Sequence, residues 1–412
     1  MSNDQPKLTP LGVFVVLLFI LGSIGAGVYF LVLGKEKSPE DEGPNNPTAT
    51  AKTDAGNNQP SSNNASATIG IAYGTEKKEW LKWAHEEFKK TEAGKRITVK
   101  LIGMGSLEGG QAVVAQNKNI HVWSPASAAY TDEFRNEWKS KGNTNEPILS
   151  SDRLVMSPMV FIMWKNRYDA FTKKYGEVSF DTLRQALAEP TGWAAIDNHP
   201  EWGFFKFGHT NPNKSNSGMV TLLLEAHEFH KKSQGLAMQD IVNSDFQTWF
   251  RSLETKALRP FPSSTGSMVE EMILKAPASY DVVMAYENLA LDWMDAAKSR
   301  TNTGGFHLIY PERNFWNDNP YYILDVPWSS DAQRKAAQEF LDFLRSDRIQ
   351  AEAVNKGFRP ANLKVSMKGS ESPFVKHAAA GVKLDLNNIV EAPKSDIIFN
   401  LRHSWKQANS DR

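Results

Sequence analysis

Cysteine is missing from all 412 residues. Its absence removes disulfides, thiol catalysis and cysteine-ligated zinc in one step. It also removes the lipid-attachment cysteine of a bacterial lipoprotein. Net charge is missing too: Lys+Arg 47 stands against Asp+Glu 47. No basic excess points to nucleic acid, and no acidic run points to a solvating tail. No Walker A Gly-Lys-Ser/Thr occurs, and no Gly-x-Ser-x-Gly elbow. Gly103–Gly110 is spaced Gly-x-Gly-x-x-x-Gly-Gly and lacks the acidic residue a dinucleotide site needs. It reads as a tight strand-to-helix turn that presents Ser106. His227 and His230 lie three apart rather than four, so they read as an exposed helix face, not a zinc-protease pair. Tyr321 and Tyr322 are neighbours in a strand and face opposite ways, so they cannot share one ion. Glu270-Glu271 and Asp292/Asp295 read as solvated faces. No catalytic set, cofactor site or metal site is expected.

The chain opens with a short tail, 1–10. Residues 11–33 form an apolar run with no charge, long enough to span a bilayer as a helix. Pro10 suits its start, and no small-residue cleavage site follows it. An uncleaved transmembrane anchor is expected. Lys7 lies before the run and Lys35 and Lys37 after it, so the positive-inside rule leaves its orientation open. Residues 34–66 are rich in Pro, Asn, Ser and Thr and nearly free of apolar side chains. Such a segment cannot bury enough surface to fold and reads as a tether. Its ends would lie on the order of 30 Å apart.

From Ala67 onward, strands alternate with helices. Ala67–Ala72, Arg96–Ile102 and Asn119–Trp123 read as strands, each followed by a loop with Gly, Ser or Thr and then a helix. This order predicts a mainly parallel, doubly wound sheet with ligands beyond the strand ends, on helix N-termini. Leu154–Trp164 is apolar but interrupted by Pro158, so its halves are expected in different places, with Ser157-Pro158 as a crossover. Trp202–Phe207 reads as a strand. After it comes Phe207-Gly-His-Thr-Asn-Pro-Asn-Lys-Ser-Asn-Ser-Gly218, running into a helix from Met219 to His230. Thr210, Asn211, Asn213, Ser215, Asn216 and Ser217 put six hydroxyls and amides at that helix start, more than one cap requires. A helix N-terminus carries unpaired N–H groups and a positive end. So many small donors there suit an anion or an oxygen-rich ligand. Ser263–Ser267 is a second hydroxyl-rich loop opening a helix. Asn319–Val326 reads as a strand returning to the first lobe.

Gly208–Gly218, Ile309-Tyr-Pro-Glu312 with Asn319-Pro-Tyr321, and the helix Ala336–Leu344 with Gln350 and Gly357-Phe-Arg-Pro360 together resemble the type II extracellular solute-binding proteins of ABC transporters. The similarity covers Ala67 to the C-terminus and is nearest to the molybdate- and sulfate-type branch. It implies a two-lobed type II periplasmic-binding-protein fold, with 67–157 and 318–412 as lobe 1 and 158–317 as lobe 2. Carried over position by position, the ligand-facing residues would be Gly74, Thr75, Gly105, Ser106, Ser124, Ser157, Thr210, Ser215, Asn216, Ser217, Ser264, Thr265 and Tyr286. In the family a dehydrated oxyanion is held by neutral donors rather than by salt bridges. The resemblance also places the bulk of the chain outside the cytoplasm, with an ABC importer or a membrane signalling partner. The expected protein is thus a membrane-tethered receptor for a small ligand, an oxyanion among the candidates. Its rival is a scaffold of the same fold without a tight ligand.

Overall fold

The computed structural model of the chain describes residues 66–300 and 302–410. The expected anchor, 11–33, and all but the end of the tether lie outside them. Among the described residues no helix is long and apolar enough to cross a membrane.

These residues form strands β1 (Ala67–Gly74), β2 (Ile97–Met104), β3 (Val122–Ser124), β4 (Ile148–Arg153), β5 (Val155–Trp164), β6 (Phe207–Gly208), β7 (Val282–Tyr286), β8 (Phe306–Ile309), β9 (Trp316–Asn317), β10 (Pro320–Leu324) and β11 (Arg359–Pro360). The first sheet runs β2-β1-β3-β10-β4. β1 is parallel to β2 and β3, while β10 is antiparallel to β3 and β4. The second sheet is built on β5, which pairs antiparallel with β7, β8, β9 and β11; β6 and β7 are parallel. The expected parallel order of the first three strands is present, but both sheets are mixed, because β10 runs against the other four strands of the first and β5 against the others of the second. That the reversal of β5 was not foreseen has a physical source. β5 and β7 are buried on both faces, and a continuous apolar run carries no mark of strand direction.

Two more strand expectations change. Leu154–Trp164 is not interrupted at Pro158, since β5 is one continuous strand, but its two ends do lie in different places: Leu154 and Val155 join the core on the first sheet, and Met159–Trp164 the core that holds β7. Val155 and Met156 face β11, Ser157 and Pro158 face β9, and Met159 onward faces β7. Proline lacks the ladder N–H and is tolerated where such a change occurs. Trp202–Phe207 is not a strand either. Pro200–Trp202 is a 3-10 turn, and Phe207–Gly208 forms a short pairing with β7. The expected return strand is present as β10.

Helix Lys78–Lys89 buries Trp80, Leu81, Ala84 and Phe88 against the first sheet. On the same core lies Asp331–Leu344, started by a capping box in which Ser330 Oγ accepts from Gln333 N at 3.3 Å. The segment after it is a clasp. Gln350 is fully buried; its amide donates to Leu154 O and Leu344 O at 3.0 Å each and accepts from Ala361 N at 3.0 Å. Gly357 has φ +77°, and a Cβ there would lie 2.8 Å from Asn288 O, so only glycine fits. Arg359 then grips buried Glu287 through two bonds of 2.8 Å.

The chain beyond Pro360 crosses to the second sheet. Val390 N donates to Asn314 O at 2.7 Å and Glu391 N to Ser233 O at 3.0 Å. Helix Ser395–Ser410 then packs on helices Asn216–His230 and Ser244–Glu254. The expected division grouped 318–412 with the first sheet; this last helix sits with the second. Below, "first half" and "second half" mean the layers around each sheet.

Candidate functional site

Three helices begin where the halves meet: Ser106–Val114 from the first, Asn216–His230 and Thr265–Lys275 from the second. Their N-cap residues are Gly105, Ser215 and Ser264, and none makes a side-chain cap bond for its own helix. The Ser215 hydroxyl is therefore not used as a cap and turns to other hydroxyls of the second half. There it lies 3.3 Å from Thr265 Oγ1 and 3.4 Å from Ser217 Oγ. Ser217 Oγ sits at the centre, 2.8 Å from Thr210 Oγ1 and 2.6 Å from Thr265 Oγ1. All four hydroxyls are buried. Asn216 donates from Nδ2 to Tyr286 OH at 3.1 Å and to Asn317 Oδ1 at 2.8 Å. Its Oδ1 accepts from Ser127 Oγ, across the gap, at 2.6 Å. Burial first, and then the Glu76 charge, holds the Tyr286 phenol well above its ordinary range, so it stays a donor.

The sequence expectation thus brings Thr210, Ser215, Asn216, Ser217, Thr265 and Tyr286 into one cluster. Thr75 lies at its edge, accepting from Gly266 N at 3.2 Å across the gap. Gly105 also lies at the junction: a Cβ there would be 2.3 Å from Lys214 O and 2.8 Å from Ser263 O. The first free amides of helix Ser106–Val114 are not open to an anion, because Leu107 N and Glu108 N both donate to Lys214 O, at 3.2 and 3.3 Å.

Other expected residues have different partners. Ser106 Oγ accepts from Ala126 N at 3.0 Å, inside the first half. Ser157 Oγ accepts from Asn288 N at 3.1 Å and so caps helix Glu287–Arg300. Ser264 Oγ donates to Ser267 Oγ at 2.8 Å. Ser124 Oγ is buried at the end of β3 with no partner. Gly74 packs on the Glu76 carboxylate. His227 is buried, not on an exposed face, and donates from Nδ1 to Lys232 O at 2.7 Å. Asp292 is likewise not on a fully solvated face: burial raises its pKa despite Lys356 at 3.4 Å.

Sequence reasoning missed the charged floor of this site. Lys77 is fully buried and donates to Glu76, to Asn319 Oδ1 at 2.8 Å and to Pro125 O at 3.2 Å. Burial lowers its pKa and Glu76 offsets that. Asn288 Nδ2 donates to Glu76 O at 3.0 Å. Beside the floor, at the mouth of the gap, lies a cavity of about 250 Å³ lined by Tyr73, Thr75, Glu79, Glu270, Asp292 and Trp293 among others. Among the described residues no group of three or more His, Asp or Glu is placed to hold a metal ion.

Residues 69–359 match the family of bacterial extracellular solute-binding proteins. The chain belongs to that family. Membership places the folded bulk outside the cytoplasm and makes it a small-solute binder. Among curated proteins nothing matches the chain. Solved structures with the same fold include the sulfate-binding protein SubI of Mycobacterium tuberculosis, at TM-score 0.52 and 15% identity over 79% of this chain and 93% of that one. A periplasmic thiamin-binding protein gives 0.53 and 13% over 83% and 96%. Iron-bound HitA of Pseudomonas aeruginosa gives 0.52 and 11% over 83% and 99%. At these identities the likeness shows the fold, a two-sheet periplasmic-binding-protein-like architecture, and no ligand.

Proposed function

We propose that this solute-binding protein is a membrane-tethered receptor that closes over an oxyanion at the hydroxyl cluster, in the service of an ABC importer or a signalling partner. The apolar run 11–33 supplies the anchor and 34–66 the tether. The observation that carries the ligand class is the set Thr210, Ser215, Ser217 and Thr265, four neutral donors linked by contacts of 2.6–3.4 Å at two converging helix starts. Lys77, the cation beneath them, is already held by Glu76, and Lys214 is exposed. An anion here would be held by hydroxyls and helix ends, not by a salt bridge. All four hydroxyls belong to the second half and bond one another there, so a ligand that enters as the halves part must compete with those bonds.

A second reading has its own observation. The cavity at the mouth offers the carboxylates of Glu79, Glu270 and Asp292 beside the rings of Tyr73 and Trp293, a lining that suits a cationic solute. One screen separates the two. The full chain in detergent is heated with molybdate, tungstate, sulfate and phosphate, and separately with small organic cations. A ligand at 100 times its Kd should add about 2.7 kcal/mol of stability. Stabilisation by an oxyanion supports the first reading, and stabilisation by cations alone replaces it. If neither acts, and bulky residues at Ser215 and Ser217 leave cellular function intact, the scaffold role stands.

A further inference from the structure

We infer that Arg402, on a helix beyond the family match, is a positioning residue that latches the two halves shut beside the hydroxyl cluster. Helix Ser395–Ser410 buries Ile397, Ile398, Leu401 and Trp405 against the second half. It is therefore carried with that half. Arg402 lies on the same helix and is itself 8% exposed. Its Nη1 donates to both oxygens of Glu133, each at 2.7 Å. Glu133 belongs to helix Thr131–Ser140 of the first half. The guanidinium thus spans the gap, and it also lies 5.8 Å from the centre of the Tyr130 ring, again on the first half.

The same side chain sets the ligand loop. Arg402 Nε donates to Asn213 Oδ1 at 3.1 Å. Asn213 N is held by Asn211 Oδ1 at 2.9 Å, so this turn is fixed from both sides. The next residue, Lys214, sends its carbonyl across the gap to Leu107 N and Glu108 N, and Ser215 follows. One guanidinium therefore bonds to the opposite half and to the turn that aims the cluster. A fork-shaped cation suits this double task, and lysine would not reproduce it.

Opening the gap must separate Arg402 from Glu133. Both are largely buried, with side chains 10% and 15% exposed. Removing one member leaves the other charge poorly solvated in the closed form, which raises the closed form's free energy relative to the open one. The proposal rests on the reading that the halves open and close.

The test uses no ligand, so an unsuccessful ligand screen does not touch it. The chain has no cysteine, so Asn136→Cys with Lys406→Cys places one nitroxide on each side of the latch in the full chain. Pulsed electron paramagnetic resonance then reads the distance distribution. The parent should show one short distance. Glu133→Gln and Arg402→Gln should each enlarge the long-distance population relative to the short one by roughly tenfold, about 1.4 kcal/mol. Glu133→Arg with Arg402→Glu should restore the short distance, which a change in helix packing alone would not do. Arg402 is buried on its helix, whereas Glu133 is only partly buried on helix Thr131–Ser140, so Glu133→Gln is the milder change and decides the matter if the former fails to fold. An unchanged distribution in folded Glu133→Gln overturns the latch, and so does failure of the charge reversal to restore the short distance.

Discussion

At the scale of single residues, Ser217 is the point on which the cluster turns. Its hydroxyl meets those of Thr210, Thr265 and Ser215. Ser217→Ala removes the shared partner but leaves the other hydroxyls buried. The expected cost is about 1–3 kcal/mol, read from the urea midpoint, with a larger loss in binding of any ligand that the cluster holds. Two turns further along the same helix lies Glu225, wholly buried and within hydrogen-bonding reach of Glu254. His209 donates from Nδ1 to Thr210 O at 2.9 Å and meets Glu254 Oε2 through Nε2 at 3.0 Å. Burial first, and then the charge of Glu254, holds Glu225 well above the usual carboxylate range. Burial also pushes Glu254 up, but His209 and Glu225 outweigh it and leave Glu254 lowered. Glu225 is thus the protonated member. Its contribution to stability is full below its unfolded pKa, about 4.3, and is lost as pH rises through its raised folded value. Glu225→Gln cannot ionise. Its melting temperature should match the parent near pH 4 and exceed it at pH 8, by about 2 °C for each kcal/mol. A variant whose melting temperature tracks the parent at every pH would contradict this. The hydroxyl side of the network was legible in the sequence, because six small donors crowd one helix start. The Glu76–Lys77 floor was not. Adjacent opposite charges ordinarily mark a solvated surface, and only the meeting of Asn319 and Pro125 over Lys77 buries them.

At the scale of elements, the loop-to-helix junctions explain why the site forms at all. Each strand–loop–helix unit was readable from periodicity, and the helices Phe180–Ala188 and Asp331–Leu344 are capped by the hydroxyls of Ser179 and Ser330. Strand direction and the unbroken course of β5 were not readable, since both depend on partners far away in sequence. One junction makes a sharp demand. A Cβ on Gly218, in the first turn of helix Asn216–His230, would lie 2.2 Å from Thr210 O. Alanine is the better helix former by about 1 kcal/mol, yet this contact is with backbone that cannot swing aside. Gly218→Ala should therefore destabilise by about 1–3 kcal/mol despite its propensity and should displace Thr210 from Ser217. Amide exchange at Thr210 and chemical denaturation would check it. A gain in stability would mean that the loop yields freely.

At the scale of the molecule, function depends on whether the two halves part, and one residue tests that with little effect on either. Gly105 sits in ordinary extended backbone, φ −62° and ψ 146°, so a larger side chain brings no conformational penalty there. Nothing in its own half obstructs it most closely; the nearest atoms to a Cβ are Lys214 O at 2.3 Å and Ser263 O at 2.8 Å, both backbone of the other half. Gly105→Val should thus clash with the closed arrangement and leave the open one free. The radius of gyration from solution scattering should rise above the parent's. Affinity for a closing ligand should fall by about tenfold or more, because the apparent constant scales with the fraction of molecules able to close. Thermal stability of each half should hardly change. The substitution acts from the first half, as loss of Arg402 does from the second. If both shift one opening equilibrium, Gly105→Val combined with Glu133→Gln should be no more open than the more open single variant once opening is complete. Scattering from Gly105→Val that superimposes on the parent would show that the halves accommodate a valine while shut, and that the gap is a fixed seam, not a closing one.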